Sequence, residues 1–387
     1  MYLRQLLTGY LKLPYTMNMK RYLCSPIESD LEKKMVFIGG PRQVGKTTLA
    51  KSFLNKKSGY LNYDYLDDRR QILSGPWPDS NVWIFDEIHK YNRWRNHIKG
   101  LFDKFGPVQK IMVTGSARLD YYRRGGDSLQ GRYFYYRLHP LSVAELKINT
   151  QKDLMDLFHL GGFPEPFFEG TKKAIKRWTQ AYNSRILADD VSTLEMSQNL
   201  NQMELVLWRL PHLVASPLSI NSLREEIGTS HDSISKWLDI FERLYAIYRI
   251  PSFGAPRIRA VKKEQKHYHF NWAMIENEGP KFENMIAGHL LKWVHYKQDV
   301  EGENYELRFF KTRDNHEIDF IVTKDLKPIY AIEAKLGDED VSKSLVYFKK
   351  KFPQVEAMQL SLKGRKDFIS KDDICVMPAL KFLNRLV

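Results

Sequence analysis

The chain has 387 residues and carries 60 Lys+Arg against 46 Asp+Glu, a formal charge of +14 with its 11 histidines neutral. That length accommodates two to three domains around a sizeable core, and two cysteines, Cys24 and Cys375, supply neither a disulfide framework nor a metal-ligand cluster. No apolar run approaches the ~20 residues that span a bilayer, so no membrane partner is expected; the basic balance points instead to an anionic partner, nucleic acid first, with a solvated basic surface as the plain alternative.

The first 23 residues are basic and rich in leucine and tyrosine, without a long apolar stretch or a small-residue cleavage site. They are expected to form a helical leader (1–30) packed on the adjoining domain of a cytoplasmic protein, rather than a targeting peptide. The apolar run Met35-Val36-Phe37-Ile38 then leads into Gly40, Pro41, Arg42, Gln43, Val44, Gly45, Lys46 and Thr47, a complete G-x-x-x-x-G-K-[ST] loop followed by the helix-like Thr48-Leu49-Ala50-Lys51. Strand, glycine loop and helix in that order are the context in which backbone N–H groups cradle phosphate and a helix N-terminus adds its dipole. Lys46 would bridge β- and γ-phosphate oxygens, and the Thr47 hydroxyl would ligate Mg²⁺.

Val82-Trp83-Ile84-Phe85 is an apolar run ending in Asp86-Glu87, as expected of a buried parallel strand whose tip reaches the ligand. Asp86 would hold the Mg²⁺ shell and Glu87 would polarise the attacking water, which makes the chemistry hydrolysis. The third run, Lys110 to Arg118, ends in Thr114-Gly115-Ser116-Ala117. Either Thr114 or Ser116 senses phosphate there with Arg118 nearby, or the strand ends in a plain Gly-Ser turn. Arg132, in Leu129-Gln130-Gly131-Arg132, is either a charge-stabilising arginine supplied in cis or to a neighbouring subunit, or an exposed loop residue.

These motifs, together with Leu138-His139-Pro140-Leu141-Ser142-Val143-Ala144-Glu145-Leu146, Gly161-Gly162-Phe163-Pro164-Glu165-Pro166 and Phe282-Glu283-Asn284, resemble the prokaryotic AAA-type ATPases with a C-terminal DUF4143 domain. The resemblance covers nearly the whole chain. It implies an α/β P-loop core with a parallel sheet (31–145) and a C-terminal α/β restriction-endonuclease-like domain (276–387); between them the residues read as a helical lid (146–200) and a winged helix–turn–helix (201–275). It also implies ATP rather than GTP, with Mg²⁺.

Residues 146–200 read as amphipathic helices broken at the Gly-Gly-Phe-Pro-Glu-Pro turn, with Asp189 and Asp190 as surface acids. Ser219 to Ile227 reads as a short helix capped at Asn221 or Ser222, Gly228-Thr229-Ser230 as a turn, and Ile234, Trp237, Leu238, Phe241 and Leu244 as the buried face of a second helix. Tyr245–Ile250 and His267–Phe270 would be wing strands, in which His267-Tyr268-His269 fits alternation rather than zinc, with Arg257, Arg259, Lys262, Lys263 and Lys266 forming a basic patch. The second helix could lie in a DNA major groove. Asp232, Asp239 and Glu242 on its outward face oppose phosphate, so the basic wing is the stronger DNA contact and a structural winged helix is the alternative.

In the last third, His316–Val322 and Ile329–Lys335 read as adjacent strands carrying Asp319 and, with thirteen residues between, the pair Glu333 and Lys335. Alternation points Glu333 and Lys335 to one face, and the constellation resembles the PD-(D/E)xK nuclease fold, although Ile318 stands where that motif has proline. Asp319 and Glu333 would hold a second Mg²⁺, Lys335 would position water, and Glu283 would add an acid or else cap its helix. Three functions stay open: an Mg²⁺-dependent ATPase driving a DNA- or protein-binding module, an ATP-gated DNA nuclease, and a nucleotide-controlled, self-assembling switch. The first is the leading expectation.

Overall fold

The computed structural model describes residues 19–106, 108–115, 129–187, 199–254, 265–314 and 316–387. In chain order it runs α1 (Cys24–Asp30), β1 (Met35–Gly39), α2 (Lys46–Lys51), β2 (Tyr60–Asn62), α3 (Leu66–Ser74), β3 (Val82–Asp86), α4 (Trp94–Phe105), β4 (Lys110–Thr114) and β5 (Tyr133–Arg137). These five strands form a wholly parallel sheet in the order β2-β3-β4-β1-β5. β1 and β3 are buried at every position, as strands covered on both faces must be, which is why they read as unbroken apolar runs. Register pairs Ile38 with Thr114 and Asp86 with Thr114, so Gly39, Asp86 and Thr114 finish on one edge of the sheet. Of the leader, residues 1–18 lie outside the described residues, and α1 occupies only the end of the segment.

Three helices come next: α5 (Gln151–Leu160), α6 (Pro164–Glu169) and α7 (Lys172–Arg185). Thr150 and Thr171 cap α5 and α7, each accepting a hydrogen bond from the backbone N–H three residues on. Pro164 stands at the start of α6, where a missing N–H costs nothing. A Cβ on Gly162 would lie 2.6 Å from Trp272 and 2.7 Å from the Leu141 carbonyl, so the glycine turn is a place of close approach. Asp189 and Asp190 lie outside the described residues.

After α8 (Leu200–Arg209), α9 (Ile220–Ile227) and α10 (His231–Arg243) flank a turn at Gly228, which adopts φ 71°. The cap of α9 is Ser219, accepting from the Ser222 N–H, rather than Asn221 or Ser222. The face Ile234, Trp237, Leu238, Phe241 is buried as its spacing requires. β6 (Ile247–Ile250) and β7 (Lys266–His269) pair antiparallel. Arg249 on β6 donates to Asp239 and Glu242, at 2.6 Å each, neutralising two of the three acids on α10. Arg257, Arg259, Lys262 and Lys263 lie outside the described residues. Lys266 is buried at 1% exposure, not on a basic surface patch.

The remainder comprises the 22-residue α11 (Glu278–Asp299), β8 (Tyr305–Lys311), β9 (Glu317–Lys324), β10 (Lys327–Lys335), α12 (Lys343–Lys351), β11 (Glu356–Ser361), β12 (Phe368–Ile369), β13 (Ile374–Pro378) and α13 (Ala379–Leu383). Its mixed sheet has the order β12-β13-β11-β10-β9-β8, antiparallel through β8-β9-β10 and parallel through β10-β11-β13. α11 turns Phe282, Met285, Ile286, Leu290 and Val294 inward. One core cluster extends from Leu23 in the first domain to Leu383 at the end of the last helix. Among the described residues no helix is long and apolar enough to cross a membrane.

Candidate functional site

The loop between β1 and α2 turns back through backbone that ordinary residues avoid. Gly40 has φ 131° and Gly45 φ 100°. A Cβ on Gly40 would stand 2.3 Å from the Leu138 carbonyl, so only glycine fits there. Lys46 is 9% exposed and donates from Nζ to the carbonyls of Gly40 and Pro41, at 3.0 and 2.6 Å. Thr47, at the start of α2, donates to Asp86 Oδ2 at 2.9 Å. The Asp86 carboxylate also accepts from Tyr60 at 2.8 Å and Thr114 at 2.7 Å. Hydroxyls from the start of β2, the end of β4 and the start of α2 thus converge on the one carboxylate at the tip of β3. Of the two hydroxyl residues open on the third strand, Thr114 bonds Asp86, whereas Ser116 and Arg118 lie outside the described residues.

Glu87 comes next, in left-handed backbone, φ 56°. Its carboxylate lies 3.5 Å from His89 and 3.7 Å from Lys90. Burial, and after it the charge on Asp86, raises its pKa above the usual carboxylate value against the pull of Lys90 and Lys46. The loop faces an open cleft of about 790 Å³, closed on its far side by Pro164, Glu165 and Phe168 of α6 and by Tyr182 and Arg185 of α7. Arg42, Gln43 and Thr48 line the loop side. The volume is in the range of small-molecule sites.

Sequence reasoning missed the support beneath the loop. Arg21 donates to the Val44 carbonyl at 2.8 Å and to the His139 carbonyl at 2.6 Å, and pairs with Glu145. Lys292 of α11 donates to the other Glu145 oxygen at 2.7 Å and to Ser142 Oγ at 2.7 Å. Burial alone would raise the Glu145 pKa, but Arg21 and Lys292 outweigh it and hold it at about 2. At Lys292 burial wins over Glu145, and the pKa falls to about 8. Only an arginine in a basic leader and a glutamate in a recurring motif hinted at this.

Arg132 lies elsewhere. Its carbonyl accepts from the Met35 N–H, at the start of β1, whereas the phosphate loop lies beyond the end of that strand. Its guanidinium pairs with Asp103 at 2.8 Å. It cannot serve the loop of its own chain, so of the roles open to it the cis role is withdrawn.

The four C-terminal residues do come together. The β9–β10 register, Phe320 with Ile332, sets Asp319 and Glu333 across from each other. Lys335 lies 3.3 Å from Glu333, and Glu283 approaches from the interior of α11, so it is no helix cap. Asp319 accepts from the Ala334 N–H at 2.9 Å. Between them lies the Lys266 ammonium, 3.1 Å from Glu283, 2.9 Å from Glu317 and 3.5 Å from Asp319. Burial, then Asp319, pushes the Glu283 and Glu333 carboxyls well above the usual range. Among the described residues no group of three or more His, Cys, Asp or Glu is arranged to hold a metal ion.

Comparison with known proteins finds three family matches along the chain. Residues 32–147 match the AAA domain family, 151–276 a domain of unknown function (DUF8612), and 278–382 the domain of unknown function DUF4143. An uncharacterized protein of Methanocaldococcus jannaschii is 23% identical over 381 residues, covering 87% of this chain and 84% of that protein. One from Haemophilus influenzae is 24% identical over 340 residues, covering 76% and 80%. Among solved structures, a DNA polymerase III gamma subunit-related protein of Thermotoga maritima matches at 16% identity over 57% of this chain and 82% of that one, but its TM-score of 0.24 carries no argument. The chain is an AAA-domain protein with a C-terminal DUF4143 domain.

Proposed function

We propose that the protein binds and hydrolyses ATP, and that the cycle alters how its winged helix and C-terminal domain engage a nucleic-acid or protein partner. The observation that carries the reading is the convergence of Thr47, Tyr60 and Thr114 on Asp86 beside Lys46. This donor set fits a Mg²⁺ ion, which Thr47 and Asp86 would hold and which, when bound with ATP, offsets phosphate charge. The loop N–H groups and the Lys46 ammonium bind the β- and γ-phosphates, exchanging the carbonyls of Gly40 and Pro41 for phosphate oxygens. Glu87 accepts a proton from water as its oxygen attacks the γ-phosphorus; the bond to the bridging oxygen breaks, and ADP leaves with the electron pair. Phe168, Tyr182 and Arg185 supply the wall against which the nucleoside would lie.

Lys46→Ala is expected to abolish nucleotide binding, and Glu87→Gln to keep binding while turnover falls about 10²- to 10⁴-fold. The raised Glu87 pKa places the acid limb of turnover above the ordinary carboxylate value, with rate lost as pH falls through it. Unchanged hydrolysis in Glu87→Gln would remove that residue from the chemistry. The +14 charge supports nucleic acid as the partner, to be read as ATP hydrolysis that DNA stimulates while the DNA itself stays intact. Arg132, out of reach of its own loop, would act only on a neighbouring copy in a homo-oligomer. A second reading, an ATP-gated nuclease, draws on the convergence of Glu283, Asp319, Glu333 and Lys335.

A further inference from the structure

β7 reads Lys266-His267-Tyr268-His269. Alternation sends Lys266 and Tyr268 to one face and the two histidines to the other. On the first face both residues meet Glu283, Tyr268 donating at 2.7 Å and Lys266 at 3.1 Å. A lysine at 1% exposure needs a reason, since burying a lone ammonium is costly. The reason here is three carboxylates from two elements, Glu283 on α11 and Glu317 and Asp319 on β9, all within 3.5 Å of one nitrogen. That is the coordination a cation receives, at ammonium distances rather than the ~2.1 Å of Mg²⁺.

The oxygens that a divalent ion would require are committed as well. Asp319 Oδ1 faces Lys266 and Oδ2 accepts from Ala334. Glu283 Oε1 takes both Lys266 and Tyr268. Glu317 bridges Lys266 and Lys311, the latter at 2.8 Å. Glu333 gives one oxygen to Lys335. Its other oxygen is buried with no hydrogen-bond partner, and that oxygen and Glu283 Oε2 are what remain beside an ammonium already held by Glu283, Glu317 and Asp319. A divalent ion would also have to enter beside an ammonium it repels.

We propose that Lys266 is a tethered cation standing in the metal position of this nuclease-like carboxylate cluster. The cluster therefore binds no divalent ion and leaves DNA uncut, and its work is to fasten the β6–β7 pair to α11 and the C-terminal sheet. The inference is independent of the ATPase reading, because the phosphate loop takes no part in it.

The test is Mn²⁺ binding to the full chain without nucleotide, monitored by electron paramagnetic resonance. Wild type is expected to show no Mn²⁺ whose binding depends on Glu333 or Asp319. Lys266→Met removes the charge and keeps the length, and is expected to gain about one Mn²⁺ per chain, lost again in Lys266→Met/Glu333→Gln. A folded Lys266→Met with no new ion overturns the proposal. Should Lys266→Met fail to fold, the wild-type arm decides: Mn²⁺ bound there and released by Asp319→Asn, or labelled DNA cut in an Asp319-dependent way, overturns it. An ATPase failure would appear separately, in Lys46→Ala.

Discussion

Glu145→Gln is expected to strand two cations. The glutamate lies between Arg21, which holds the Val44 carbonyl of the phosphate loop, and Lys292, which comes from α11. Its pKa falls from 4.5 to about 2 in the fold, which at about 1.4 kcal/mol per pH unit corresponds to roughly 3 kcal/mol of stability. That contribution is present above pH 4.5 and lost as pH falls toward 2. Lys292 works the other way: its pKa is lowered to about 8, so holding it charged costs a comparable amount below that pH. The intact trio therefore adds little net stability, while losing its single anion should cost about 3–5 kcal/mol at pH 7. Without Glu145 the lysine titrates lower still, and the unfolded chain binds the proton that the folded chain has shed. Stability of the variant should then recover as pH rises toward 9, which wild type would show far less. Urea midpoints at pH 7 and pH 9 measure both effects. A variant as stable as wild type at pH 7, or equally weakened at both pH values, refutes the reasoning.

Thr114→Val removes one of three hydroxyls from Asp86 and should weaken Mg²⁺-ATP binding by about 0.5–1.5 kcal/mol, read by titration calorimetry; full affinity would leave Thr114 a bystander. Gly162→Ala drives a methyl into Trp272 and the Leu141 carbonyl, and should lower stability by about 1–3 kcal/mol with the phosphate loop untouched, read from urea midpoints.

What the sequence made legible was local. The glycine loop, the strand ending in Asp86 and the apolar face of α10 each declare themselves within a dozen residues, because backbone geometry and periodicity act over that range. Tyr60 and Arg21 could not be read in this way. Tyr60 ends up beside Asp86 only through the β2–β3 pairing, and Arg21 reaches the loop across 23 residues of chain. Arg132 stood next to a promising motif, yet parallel pairing put it at the wrong end of its strand. The hardest was Lys266, which sits among basic neighbours in sequence but faces acids on α11 and β9. Charge in a sequence shows how much there is, and only packing shows which charges are spent on one another.

The boundary between the matched families, at residues 276 and 278, falls where the chain enters α11. That helix nevertheless faces both ways. Glu283 and Lys292 are nine residues apart, about two and a half turns, and so point to opposite sides, one to the carboxylate cluster and one to the phosphate-loop support. Asp299, near its far end, pairs with Arg137 at the tip of β5. The helix is a shared beam, and the pieces that recur in other proteins are not pieces that can be exchanged freely. Transplanting residues 278–382 onto another ATPase would carry along a lysine and an aspartate shaped for Glu145 and Arg137, and would leave the host an unmatched socket. Shuffling this architecture requires both flanks of one helix to change together.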